Sequence, residues 1–147
     1  MNKKYLIVFS TALIIILIDQ TTKFLIKTNF QLSQTLLIIN NIFHLTYIHN
    51  FGAGFGILQQ QRLNLIFVSI IVIGFIFYYL DKIKEKERLL QLLVGFILGG
   101  TIGNLIDRII YGHVIDFLDF RIWPVFNFAD SFVTIGVIGL VIYFWKS

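Results

Sequence analysis

Four long apolar runs decide what this chain can become. They cover roughly residues 5–26, 63–80, 89–111 and 129–145, and each approaches the ~20 residues needed to cross about 30 Å of hydrocarbon. Lipid offers backbone N–H and C=O groups no partners, so each run must satisfy its own hydrogen bonds, and a helix does so most economically. With 57% hydrophobic and 14% charged residues, the 147-residue chain falls well below the charge content of a soluble domain, about 25%. The expected fold is membrane all-α: four transmembrane helices forming a single integral-membrane domain over residues 1–147.

The basic residues give this bundle an orientation. Lys3 and Lys4 precede the first run, Lys82, Lys84, Lys86 and Arg88 fill the second connection, and Lys146 follows the fourth run. With four crossings they fall on one side, which the positive-inside rule assigns to the cytoplasm, together with both termini. The net charge of +4 is therefore a topology signal. No basic stripe interleaves with stacking aromatics, so nucleic acid is not an expected partner. Two lysines and an apolar run at the N-terminus resemble a secretory signal, but Asp19-Gln-Thr-Thr-Lys23 follows in place of a small-residue cleavage site, which predicts a retained span. The chain has no cysteine, which excludes disulfides, thiolate metal sites and cysteine nucleophiles on this protein.

The connection between the first two runs, residues 28–62, is of mixed character. Phe43, Leu45 and Tyr47 alternate at period two and predict a strand over residues 42–49, within a small sheet or loop element between helices 1 and 2. Gly52, Gly54 and Gly56 then imply tight turns or close backbone approach. In the third run Gly95, Gly99 and Gly103 recur every four residues, a spacing that lets helices approach closely in lipid. Asn104, Asp107 and Arg108 follow on the same helix, one turn apart.

Five of the eight acidic residues, Asp19, Asp107, Asp116, Asp119 and Asp130, lie in or beside apolar segments. A carboxylate at bilayer depth costs ~2.5–3.5 kcal/mol on insertion scales, so it needs a partner or a function. Asp116 follows the third run and Asp130 opens the fourth, which places both at one end of adjacent helices. Two carboxyls a few Å apart tend to share one proton, so that one can activate water while the other polarises a carbonyl. The bland alternative makes Asp130 a first-turn acid of the fourth helix; it leaves Asp116 unexplained. Asp19 and Lys23, four apart, form a helical ion pair on the outer half of the first run. Asp119 and Arg121 read as solvated or interfacial loop residues. His44, His49 and His113 lack metal-ligand spacing, so neither a metal nor any other cofactor is expected.

These residues resemble the motifs of one family, the bacterial lipoprotein signal peptidases, or signal peptidase II. Asp19-Gln-Thr-Thr-Lys23 resembles its D-x-x-x-K; Asn50-Phe51-Gly52-Ala53 its N-x-G-A; and Gly99-Gly100-Thr-Ile-Gly103-Asn104-Leu-Ile-Asp107-Arg108 its G-G-x-x-G-N-x-x-D-R. Val114-Ile-Asp116-Phe117 and Phe126-Asn127-Phe-Ala129-Asp130-Ser131 are similar to its two aspartate motifs. The resemblance implies an intramembrane aspartic endopeptidase of the bacterial inner membrane, with its site toward the extracytoplasmic face. Such an enzyme cuts diacylated prolipoproteins before the lipidated cysteine and is the target of globomycin-type inhibitors. By motif, Asp116 and Asp130 are implied to be catalytic. Asn50, Gly52, Asn104, Asp107, Arg108, Asn127 and Ala129 are implied to support the site or substrate, and Asp19 and Lys23 to hold the first span to the outer loop. Partners implied are the substrate, membrane lipid and the inhibitors. The connection from Asp119 to Ala129 is short and predicts no lid there. A different class, a small proton-coupled transporter or channel subunit, would use intramembrane acids as a relay and should spread them through the bilayer depth.

Overall fold

The structure, a computed structural model, describes residues 3–52 and 59–146. Four helices carry the four apolar runs: α1 (Lys3–Asn29), α2 (Arg62–Leu80), α3 (Arg88–Ile110) and α4 (Phe128–Trp145). All four are long and apolar enough to cross a membrane, and they extend the expected spans by at most three residues. Their outward faces carry large exposed apolar side chains, among them Leu17, Phe67, Phe75, Val141 and Phe144, as a lipid-facing surface requires. The molecule is a multi-pass membrane protein.

α3 is central, packing on α1, α2 and α4. Its glycines explain how. A Cβ at Gly95 would meet Thr11 at 2.8 Å, one at Gly99 would meet the Ala12 carbonyl at 2.7 Å, and one at Gly103 would meet Asp19 Oδ2 at 2.6 Å. The Gly95–Gly99–Gly103 stripe is thus the seat of α1. Gly100, a quarter-turn away, receives α4 instead: its Cβ would collide with the Ala129 carbonyl and Val133. Away from this seam Val8, Ala12, Val94 and Leu98 close the core with α2's Ile76 and Leu80.

A three-stranded antiparallel sheet sits at one end, in the order β1 (Thr35–Ile39), β2 (Phe43–Asn50), β3 (Val114–Asp119). Two strands come from the connection between α1 and α2; β2 is the one the alternation predicts, and β1 carries no such pattern. The third follows α3, so the sheet joins the two halves of the chain. β3 does not alternate in polarity because Val114, Ile115, Asp116 and Phe117 are all buried, leaving no solvent face to mark the period. After β3 the chain doubles back through a tight hairpin, with Leu118 bridged to Phe126, and enters α4.

Candidate active site

Asp116 stands mid-way along β3, and register places it opposite Ile48 of β2, two residues before Asn50. Asn50 donates its side-chain amide to Asp116 Oδ2 at 2.9 Å and accepts the Gly52 N–H at the same distance. On the other side Asn127 donates Nδ2 to Asp116 Oδ1 at 2.7 Å and to Asn104 Oδ1 at 3.0 Å. Asn127 is also the N-cap of α4: its Oδ1 accepts the Asp130 N–H at 2.8 Å, while its own N–H donates to Asp130 Oδ2 at 3.4 Å. This is a capping box with an acid in the third position. Asp130 is therefore a first-turn acid of α4 and a neighbour of Asp116 at once. Asn104 completes the ring by donating Nδ2 to Asp130 Oδ1 at 2.7 Å.

Asp116 is 1% exposed. Burial first, and the charge of Asp130 second, push its carboxyl up to about 7; the amides of Asn50 and Asn127 oppose this only in part. A carboxyl so placed is only partly ionised near neutral pH.

Beneath this ring lies a charged network that ties three helices together. Lys23, 2% exposed, reaches Asp19 Oδ2 and Asp107 Oδ2, both at 2.8 Å, and Asn104 Oδ1 at 2.9 Å. Asp19 Oδ1 accepts the Ala129 N–H at 3.0 Å, and Asp107 Oδ2 accepts the Ile115 N–H at 3.1 Å. The network fixes the start of α4 and the start of β3, the segments that bear the two aspartates. Removing water from three charges is tolerable only because each is matched by opposite charge or N–H donors. Lys23 also settles the orientation of Asn104: an ammonium at Oδ1 turns the amide nitrogen toward Asp130.

Asp116 and Asp130 open onto a cavity of about 820 Å³. It is lined by His49, Asn50, Phe51, Trp123 and Phe126 and, on α4, by Ile135, which is half exposed.

Comparison with known proteins decides what this arrangement is. The model of the signal peptidase (SPase) II family, Peptidase_A8, matches residues 11–146. The chain belongs to the signal peptidase II family. It is accordingly an aspartic endopeptidase. The lipoprotein signal peptidase of Halothermothrix orenii is 47% identical over 139 residues, 95% of each chain. That of Moorella thermoacetica is 46% identical over 129 residues, 88% of this chain and 86% of its own. A bacterial membrane enzyme solved by the in meso method at 2.3 Å resolution superposes with a TM-score of 0.90 at 31% identity, covering 99% of this chain and 89% of its own.

Against that signal peptidase II background, several residues sit differently from what their sequence suggests. Among the described residues, Asp19 and Lys23 bond to α3 and the start of α4. Arg108 donates Nη2 to the Gly52 carbonyl at 3.2 Å and Nη1 to the Asn104 carbonyl at 3.4 Å, so it steadies the end of β2. Ala53, Gly54 and Gly56 lie outside the described residues. Asp119 is not solvated: it is 4% exposed, with Thr46 and Arg121 bonded to Oδ2 at 2.7 and 2.9 Å. Burial alone would raise its carboxyl, but these donors hold it below the usual range. His49 and His113 stack at 3.7 Å between ring centroids, which presents ring faces rather than converging lone pairs. No group of three or more His, Asp or Glu among the described residues is placed to hold a metal.

Gln20 is a member of this network that the motif pattern does not single out. It donates Nε2 to Asp107 Oδ1 at 2.9 Å, the Gly103 carbonyl at 3.1 Å and Asp19 Oδ2 at 3.2 Å, bridging two carboxylates of the network. Its place beside Asp19 in an apolar run was the available signal.

Proposed function

We propose that this protein removes signal peptides from diacylglyceryl-modified prolipoproteins, cleaving before the lipidated cysteine, with Asp116 and Asp130 as the catalytic pair. One observation carries the reading: two carboxyls from different elements line one cavity and are linked by two side-chain amides, Asn127 donating to Asp116 and to Asn104, and Asn104 to Asp130. The ionised member takes a proton from water as its oxygen attacks the scissile carbonyl carbon. The protonated member donates to the carbonyl oxygen. The member that took the water proton then passes it to the amide nitrogen, while the other takes a proton back from a gem-diol hydroxyl. The C=O thus reforms, the C–N bond breaks to acid and amine, and the pair again shares one proton. The remaining residues position: Asn50, Asn104 and Asn127 aim the carboxyls, Arg108 steadies Gly52, and Asp19, Lys23, Asp107 and Ala129 fix the segments that carry them.

A substrate held by acyl chains stays in the bilayer, so the site belongs at headgroup level. The lysine distribution supports the extracytoplasmic face of a bacterial inner membrane, with both termini cytoplasmic and residues 1–147 acting as one domain. Globomycin-type peptides would occupy the same cavity, beside membrane lipid. The relay alternative calls for acids spread through the bilayer. Asp19, Asp107, Asp116 and Asp130 instead gather in one connected cluster at the sheet end.

The test is cleavage of a diacylated peptide by purified protein. Asp116→Asn and Asp130→Asn should each reduce turnover by at least ~10³-fold while inserting normally; full activity in either variant refutes the pair. The alkaline limb follows from the raised carboxyl of Asp116. As pH rises through about 7 its proton is lost, both members become charged, and turnover falls. A rate that stays flat from pH 6 to 9 contradicts the shared proton.

A further inference from the structure

The hairpin between β3 and α4 is built more rigidly than a plain connection needs. At its neck Asp119 accepts the Arg121 N–H at 2.9 Å and the Arg121 guanidinium at the same distance, while Thr46 of β2 donates to the same carboxylate. Phe120 packs between Phe43 and Phe126, with ring centroids at 4.9 and 5.8 Å. Arg121 itself has φ 65°, a left-handed conformation that a residue with a Cβ adopts at a cost. Ile122 is 94% exposed and Trp123 55% exposed, yet both line the cavity that holds Asp116 and Asp130. The same cavity runs on to Ile135 on the outward face of α4, 52% exposed. A side chain tethered in the bilayer could follow that apolar path to the carboxyls without crossing water.

We propose that Ile122 and Trp123 are specificity-determining residues, forming the wall against which the lipid-bearing side chain of the substrate lies, and that the Asp119–Arg121 clamp is the device that holds this wall in place. The proposal rests on the prolipoprotein reading and names its occupant: the diacylglyceryl thioether of the cysteine that follows the scissile bond. Three features match that group. The wall is uncharged, it lines the same cavity as the pair, and that cavity extends to the half-exposed, apolar Ile135 of α4. Because acyl chains gain little by leaving lipid for another apolar surface, the wall acts by packing and orientation, which makes its effect selective rather than large. A substrate seated less well still reacts once bound, so the loss falls on KM.

The experiment compares wild type, the double variant Ile122→Ala/Trp123→Ala and Arg121→Ala in mixed micelles. The substrates are one signal-peptide fragment carrying either long-chain or short-chain diacylglyceryl cysteine. Both variants alter exposed side chains, and a thermal melt checks their folding. For the double variant, KM for the long-chain substrate is expected to rise about tenfold, with kcat within twofold, and the preference for long over short chains to shrink. Arg121→Ala should show the same pattern more weakly. Unchanged KM and chain-length preference in the double variant would overturn the wall while leaving the peptidase reading intact. An equal loss of kcat on both substrates would overturn it too, since that signals damage to the pair. Failure of wild type to cleave either lipidated peptide would remove the prolipoprotein reading, and this inference with it.

Discussion

The two ends of the bundle handle charge in opposite ways. At the sheet end Asp19, Lys23, Asp107 and Asp116 are all at most 2% exposed, and each oxygen of the three carboxylates has a donor in place. At the far end Lys4 donates to the Asp81 and Ile83 carbonyls at 2.8 and 3.2 Å and stands 3.9 Å from the Asp81 carboxylate, which is 78% exposed and also takes the Tyr5 hydroxyl. Glu87 there accepts the Lys84 N–H at 2.7 Å, closing the turn between α2 and α3. At the far end Lys4 is buried but bonded to main-chain carbonyls, and its acidic neighbour Asp81 is exposed, so these charges shape a turn. Those at the sheet end are dry and mutually dependent. The lesson is that polar residues in a membrane protein must be judged by what surrounds them, since an acid–lysine pair spaced i,i+4 and one bridging two helices look equally unremarkable in sequence.

Substitutions at the two ends should therefore differ sharply. The largest loss is expected for Lys23→Met, which strands Asp19 and Asp107 without their cation. About 3–5 kcal/mol of stability should go, read as a large fall in the thermal midpoint of purified protein. A near-normal melt would mean the network is wetter than described. Gly100→Ala comes next. Its new methyl would press on the Ala129 carbonyl and Val133, levering the first turn of α4 from α3, at about 1–3 kcal/mol. Because that turn carries Asp130, turnover should fall more than the melt suggests. Smallest is Asp81→Asn at the far end, where an exposed carboxylate 3.9 Å from Lys4 contributes little; the midpoint should move by less than about 2 °C. A drop at Asp81 comparable with that at Lys23 would erase the distinction between the ends.

Much of this was legible because lipid imposes a coarse rule. Twenty apolar residues predict a span wherever they fall, so all four helices were read to within a few residues. The glycine stripe and the paired acids were equally plain, since both are anomalies against an apolar background. Legibility failed where local pattern depends on tertiary contact. β1 is apolar and exposed along its whole length, Leu36 to Ile39 each about half exposed, so it shows neither alternation nor a buried run. β3 is buried on both faces and hides its period in the same way. The burial of Asp119 is not legible in spacing, because its donors come from β2 and from two residues ahead. The hairpin after it was too short to promise a lid, but shortness does not prevent two tip residues from reaching the cavity.

Asn127 joins two tasks that most proteins keep apart. One side chain begins a helix and, through its other atom, grips a carboxylate on a neighbouring strand. Any slippage in where α4 starts to wind must therefore also release Asp116, and any retreat of β3 must loosen the first turn of α4. Half-assembled geometries are left without a resting place. A hydrolytic enzyme immersed among its own host's membrane proteins benefits from having no sloppy intermediate between armed and inert.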